Sequence, residues 1–198
     1  MIKAIFFDLD GVLVDACGWH YHSLNDALEH YKGFKISYDD HIDKYNGLPT
    51  SVKLDMLGIS EDEKEDIWRM KQDRTLENIK IHGSVDKYKI RMLTKLKEEN
   101  YKLVCVTNSI RETATQMLKS TGQLELFDFL ITNEDVKNNK PHPDCYILAM
   151  GLLGIGKEEC LIVEDSPKGK KAAYASGARV LEVTDIYDVT LNNIRRIL

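Results

Sequence analysis

A single apolar run, Ala4-Ile5-Phe6-Phe7, reads as a buried strand and stands far from every other strand-like segment. That isolation constrains the fold more than any other feature. Residues 17–31 place Trp19, Leu24, Ala27, Leu28 and Tyr31 at helical spacing. Residues 39–45 and 52–57 read as short helices, the second stopped by Gly58, and Ser60-x-x-Glu63 predicts a capping box opening a long helix to about Ile79. From His82-Gly83 onward the pattern alternates. Helices are expected over 86–100, 111–121, 143–153 and 168–176, and strands over 101–106, 129–131, 160–163 and 179–183, before a short closing helix. Such alternation gives a parallel sheet with helices on both faces, and the lone first strand must join it. The chain is therefore expected to be an α/β protein: a doubly wound parallel sheet from residues 1–14 and 83–198, with residues 15–82 inserted as an α-helical cap domain.

Chemistry collects where the strands end. Asp8 and Asp10 follow the first strand, with Gly11 directly after them. Open α/β sheets bind ligands outside the carboxyl ends of their strands. Two carboxylates there repel each other unless a cation relieves them. Taken alone, Asp-x-Asp-Gly reads equally well as a tight turn. The downstream strand ends supply its company: Thr107 and Asn108 after the second, Lys140 in the loop after the third, Glu164 and Asp165 after the fourth. Thr107-Asn108 also reads as a helix N-cap, and Ser166-Pro167 as a strand-to-helix turn. Carboxylates, a hydroxyl and a lysine converging on one crevice suit phosphate chemistry with Mg²⁺, which prefers hard oxygen ligands.

Composition narrows the partners. The formal net charge of -5 argues against nucleic acid, which needs a basic face. No apolar run approaches membrane-spanning length, and the N-terminus leads straight into a strand with no signal segment. Cys17, Cys105, Cys145 and Cys160 form no Cys-x-x-Cys pair, so neither a zinc site nor a disulfide framework is expected, and Cys105 and Cys160 read as buried free thiols. The expectation is a monomer in a reducing cytoplasm, with a small phosphorylated metabolite as its partner and neither nucleic acid nor membrane.

In this order, Asp8-x-Asp10-Gly11-Val12, Thr107, Lys140-Pro141 and Glu164-Asp165-Ser166 resemble the motif set of the haloacid dehalogenase superfamily. The likeness covers nearly the whole chain and is to the helical-cap subgroup, phosphoglycolate-phosphatase-like and β-phosphoglucomutase-like proteins among it. The resemblance implies a Rossmann-like core and a Mg²⁺-dependent phosphatase that hydrolyses a small phosphomonoester through an aspartyl-phosphate. It implies that Asp8 is the nucleophile and that Asp10 protonates the leaving oxygen, then takes a proton from water. It implies Mg²⁺ held by Asp8, the backbone carbonyl of Asp10 and Asp165, with Glu164 coordinating or orienting a bound water. Thr107 and Asn108 would hydrogen-bond phosphate oxygens, and Lys140 would neutralise the phosphate and Asp8 together. In relatives the Lys-Pro bond here can be cis.

The cap residues carry substrate readings. The spacing from Asp15 to His20 matches the start of the cap in similar proteins, and His20 reads either as a contact to substrate or Asp10 or as an ordinary helix-face histidine. Lys71 reads either as a substrate-binding lysine or as a solvated one. Thr50 stands where phosphosugar mutases of this group carry an arginine for a second phosphate, and a threonine offers no charge there. Hydrolysis is therefore preferred. A β-phosphoglucomutase-like mutase is the alternative, and a non-catalytic phospholigand-binding protein the second alternative.

Overall fold

A computed structural model describes residues 1–198. Five strands form one all-parallel sheet: β1 (Ala4–Phe7), β2 (Lys102–Val106), β3 (Phe129–Ile131), β4 (Cys160–Glu164) and β5 (Arg179–Glu182). Their order is β3-β2-β1-β4-β5, so the lone N-terminal strand is the middle one. Every residue of β1 is buried, as a strand covered on both faces must be. The pairing register aligns the strand ends. Phe7 lies opposite Cys105 of β2 and Val163 of β4, so the residues just beyond all three strands emerge at one level.

Alternation along the strands divides the interior into two cores. Ile5, Phe7, Leu103, Cys105, Leu161 and Val163 pack on one face, against helices α5 (Lys87–Glu98), α6 (Arg111–Ser120) and α9 (Leu191–Arg195). Phe6, Val104, Val106 and Ile162 pack on the other, against α7 (Asp144–Leu153) and α8 (Pro167–Ser176). A third, separate cluster lies among the inserted helices, where Leu24, Leu28, Leu54 and Ile67 meet. These helices are α1 (Cys17–Lys32), α2 (Tyr38–Asp40) running into a π-helical turn at His41–Tyr45, α3 (Thr50–Met56) and α4 (Glu61–His82). The long α4 belongs to two of these clusters, with Ile67 in the inserted one and Ile79 in the sheet core. It therefore ties the inserted helices to the sheet.

The fold class follows the sequence expectation, and the local differences have plain causes. The long helix begins without a reciprocal capping box: the Ser60 hydroxyl donates to the Glu63 carboxylate instead of accepting from its backbone. It runs on to His82, three residues past the apolar stripe. The helix expected over 86–100 is shorter, because Asp86 caps it by accepting from Tyr88 N and Lys89 N and Asn100 turns left-handed at φ 65. Thr107-Asn108 is not the N-cap of α6; Ile110 occupies that position. All four cysteines are free, three of them buried. No helix is long and apolar enough to cross a membrane.

Because the inserted cluster shares no side chains with the sheet faces, its damage stays local. Leu28→Ala, which empties a fully buried position there, is expected to cost about 2–5 kcal/mol of unfolding free energy. Hydrogen exchange should quicken in α1 and the first half of α4 while the amides of β1 and β4 keep their protection.

Candidate active site

At the carboxyl edge of the sheet, Lys140 is the organising cation. Its ammonium group is buried and donates to Asp8 Oδ1 at 2.7 Å, Glu164 Oε1 at 2.6 Å and the Val106 carbonyl at 2.8 Å. Tyr146, from α7, donates its hydroxyl to the same Glu164 oxygen at 2.7 Å, and its ring lies 5.0 Å from the ammonium. The Lys140-Pro141 peptide is cis. Asn108 fixes the lysine's backbone, accepting from Lys140 N at 3.0 Å and donating to Lys140 O at 3.2 Å. Burial works against the charge on Lys140, but Asp8 and Glu164 outweigh it and hold its pKa well above the ordinary lysine value.

Asp165 completes an acidic trio. Carboxylate oxygens of Asp8, Glu164 and Asp165 lie within 4.8 Å of one another. Two glycines make room for them. A Cβ on Gly11, which also has φ +85, would sit 2.1 Å from Asp165 Oδ2, and one on Gly169 would sit 2.0 Å from the Glu164 carboxylate. Three carboxylates facing one ammonium leave a surplus of two negative charges when all are ionised. Burial first, and then the charge of Glu164, push the Asp165 carboxyl up to about 7 and raise Asp8 well above the carboxylate range. Asp165 Oδ1 is buried with no hydrogen-bond partner. An orphaned carboxylate oxygen, an all-oxygen donor set and that surplus fit a hard divalent cation. Glu164 is already engaged by Lys140 and Tyr146, which leaves Asp8 and Asp165 with the freer oxygens.

Asp10 faces a different environment from Asp8, two residues away. Its Oδ1 pairs with His20 Nε2 at 2.9 Å, and its Oδ2 accepts from Ser109 Oγ at 3.1 Å. Lys71 Nζ lies 3.3 Å from His20 Nδ1. An ammonium can only donate, so His20 Nδ1 accepts and Nε2 carries the hydrogen given to Asp10. Burial alone would raise the Asp10 carboxyl, but His20 and Ser109 together bring it below its ordinary value. Burial and then the charge of Lys71 pull His20 down, and burial pulls Lys71 to about 7. The side chain of Asp10 thus turns away from the acidic trio, so any part of Asp10 in holding a cation falls to its backbone carbonyl.

Apart from Glu164, which is fully buried and does not line it, the expected residues gather around one cavity of about 90 Å³ between the sheet edge and the inserted helices, with Asp8, Asp10, Thr107, Lys140 and Asp165 on the floor and His20, Thr50 and Lys71 on the roof. Two readings change. Lys71 is buried and is not a solvated helix-face lysine. The Asn108 amide has no donor left for a phosphate oxygen, since its second bond runs to the Gly47 carbonyl at 2.9 Å and joins the roof to the floor. Thr107 is buried, and its Oγ1 accepts from Ser109 N at 3.0 Å. Ser109, Tyr146 and Lys53 are polar neighbours of the candidate site that the sequence reading missed. Ser109 adjoins the Thr107-Asn108 motif, and Lys53 sits one helical turn after Thr50, so spacing held a signal for both. Tyr146 carried none.

Residues 5–183 match the haloacid dehalogenase-like hydrolase family, and the chain belongs to it. The PpaX protein of Caldanaerobacter subterraneus is 35% identical over 188 residues, covering 92% of this chain and 81% of that one. A phosphoglycolate phosphatase of Photorhabdus laumondii is 30% identical over 193 residues, covering 94% and 82%. The solved β-phosphoglucomutase of Clostridium difficile shares the fold, with a TM-score of 0.86 at 23% identity over 99% of this chain and 96% of that one.

Removing the organising cation should expose what it offsets. Lys140→Met is expected to cost about 3–5 kcal/mol in metal-free buffer. Burial already raises the Asp8 carboxyl, and without the opposing charge of Lys140 it binds a proton more readily still when folded, so stability falls as pH rises above the unfolded carboxylate range. The deficit against the unmodified protein, read by urea denaturation, should therefore be larger at pH 8 than at pH 5.

Proposed function

We propose that this chain is a Mg²⁺-dependent phosphatase that hydrolyses a small phosphorylated metabolite through an aspartyl-phosphate on Asp8. The observation that carries this reading is the separation of two neighbouring carboxylates into opposite settings. Asp8 sits in the acidic trio under Lys140, whereas Asp10 is tied to His20 and Ser109. Carboxylates divided in this way take different chemical roles. A cavity of about 90 Å³ suits a small substrate and little more.

Asp8, Asp165 and the Asp10 backbone carbonyl would hold Mg²⁺, with Glu164 orienting the set. When bound, the ion offsets the surplus negative charge and withdraws charge from the phosphoryl oxygens. Lys140 holds one oxygen of Asp8, and the other attacks phosphorus. As that bond forms, the bond from phosphorus to the leaving oxygen breaks, and Asp10 gives that oxygen a proton. His20 Nε2, which already donates to Asp10, is the group through which the proton reaches it, with Lys71 behind it. Water then attacks the acyl phosphate while Asp10 takes its proton, which regenerates Asp8 and releases phosphate. Since His20 and Lys71 come from the roof, the acid is complete only when the roof is seated, which also keeps water from the first step.

One observation favours a mutase as the second reading. Thr50 brings no charge, but Lys53 brings a cation to the same wall one turn further along α3. Phosphorus NMR separates the two. Hydrolysis yields inorganic phosphate from phosphomonoesters, whereas a mutase isomerises a sugar phosphate and requires a bisphosphate activator.

The test is phosphate release from a panel of phosphomonoesters. Activity should appear with Mg²⁺ and vanish with EDTA. Asp8→Asn should abolish turnover, and Asp10→Asn should lower kcat by about 10²–10⁴-fold. Turnover by Asp8→Asn equal to that of the unmodified protein would refute the scheme, and tight binding of phosphometabolites without any turnover would point to a ligand-binding protein.

A further inference from the structure

Lys53 is the one cation of the cavity with no role in the phosphatase scheme. It lies on α3, is 5% exposed, lines the cavity, and forms neither a hydrogen bond nor an ion pair. The other two lysines there are engaged, Lys140 by Asp8 and Glu164, and Lys71 by His20. A lysine largely withdrawn from water, with no carboxylate in hydrogen-bond range and only the more distant charge of Asp10 in its favour, is costly. That cost shows in its pKa, which burial lowers to about 8. The roof offers no relief of its own: every carboxylate lining the cavity, Asp8, Asp10 and Asp165, belongs to the floor. Thr50, one turn earlier on the same helix, is also buried against the cavity and adds a hydroxyl beside this ammonium.

From this geometry we infer that Lys53 is a specificity-determining residue that pairs with a second anionic group, a carboxylate or a further phosphate, on the leaving-group side of the substrate. The inference rests on the phosphatase reading and narrows its substrate class to phosphate compounds with an anionic tail. The floor takes the phosphoryl group that reacts, and the roof takes the tail. An ammonium is a point charge that accepts either kind of oxyanion, so the tail's chemistry is shared between the two sources. A neutral tail would leave Lys53 desolvated and unpaired, which penalises that substrate.

The experiment compares matched probes that differ in the tail. Phosphoglycolate against 2-hydroxyethyl phosphate tests a carboxylate, and inorganic pyrophosphate against methyl phosphate tests a second phosphate. The unmodified protein should prefer the anionic member of at least one pair by about ten- to a hundredfold in kcat/KM. Lys53→Met should bring that ratio close to one, chiefly through KM, and Lys53→Arg should restore most of it. Equal rates within both pairs for the unmodified protein overturn the inference. So does a Lys53→Met variant that slows both members of a pair alike, since a general field at Asp10 or a structural role predicts that outcome. Calorimetry on Asp8→Asn and on Asp8→Asn with Lys53→Met, using the same four probes, separates this inference from the reading it rests on. If no probe is hydrolysed, the phosphatase reading falls, and tail-selective binding that needs Lys53 still decides the matter. Lys53→Met loses an unpaired buried charge and should melt no lower than the unmodified protein. Lys53→Gln serves the same comparison if the methionine variant does not fold.

Discussion

Everything at the sheet edge depends on one buried ammonium held among carboxylates. Lys140 reaches Asp8 and Glu164, residues that the chain separates widely and that parallel pairing of β1 with β4 brings together. Without a cation there, desolvated carboxylates within 4.8 Å of one another would take up protons or force the strand ends apart. With one lysine the cluster is still short of positive charge, and the raised Asp8 and Asp165 carboxyls record the shortfall. That imbalance fits a phosphatase site, where a divalent cation would offset it.

The roof answers the floor with a histidine and two lysines. His20, Lys53 and Lys71 face the acidic floor across a small cavity, and the roof adds no carboxylate. Polar links hold the halves in register, among them His20 on Asp10, the Asn108 amide on the Gly47 carbonyl and the Lys168 ammonium on the Asn46 carbonyl. The long α4 has residues in both clusters and so connects the roof to the floor. On the proposed scheme, acid-base chemistry at Asp10 would be tied to the seating of the roof, and the contacts that exclude water would also assemble the proton donor.

The order of elements was legible because hydrophobic period and punctuation are local signals. A strand buried on both faces must be a continuous apolar run, and Gly58 and Gly177 end helices where their positive φ is tolerated. The acidic trio and Lys140 were legible for a related reason: parallel strands end at one edge, so polar residues after those ends meet. Tyr146 was invisible, since its place beside Glu164 depends on how α7 lies on the sheet. The capping box at Ser60 was legible in pattern but not in detail, because the hydroxyl had a carboxylate to choose over the backbone.

Sequence alone determined the class of fold, the strand ends at which the candidate site residues meet and the family to which the chain belongs, since these rest on short-range patterns and on spacing. Only tertiary structure decided which charges are satisfied. Whether Lys71 is solvated or buried against His20, whether the Asn108 amide is free or spent on Gly47, and whether Lys53 has a partner are outcomes of how α3 and α4 pack over the sheet edge. Burial and pairing are properties of three-dimensional neighbourhoods. The desolvation that turns an ordinary lysine into a site arises only when distant segments of the chain close around it.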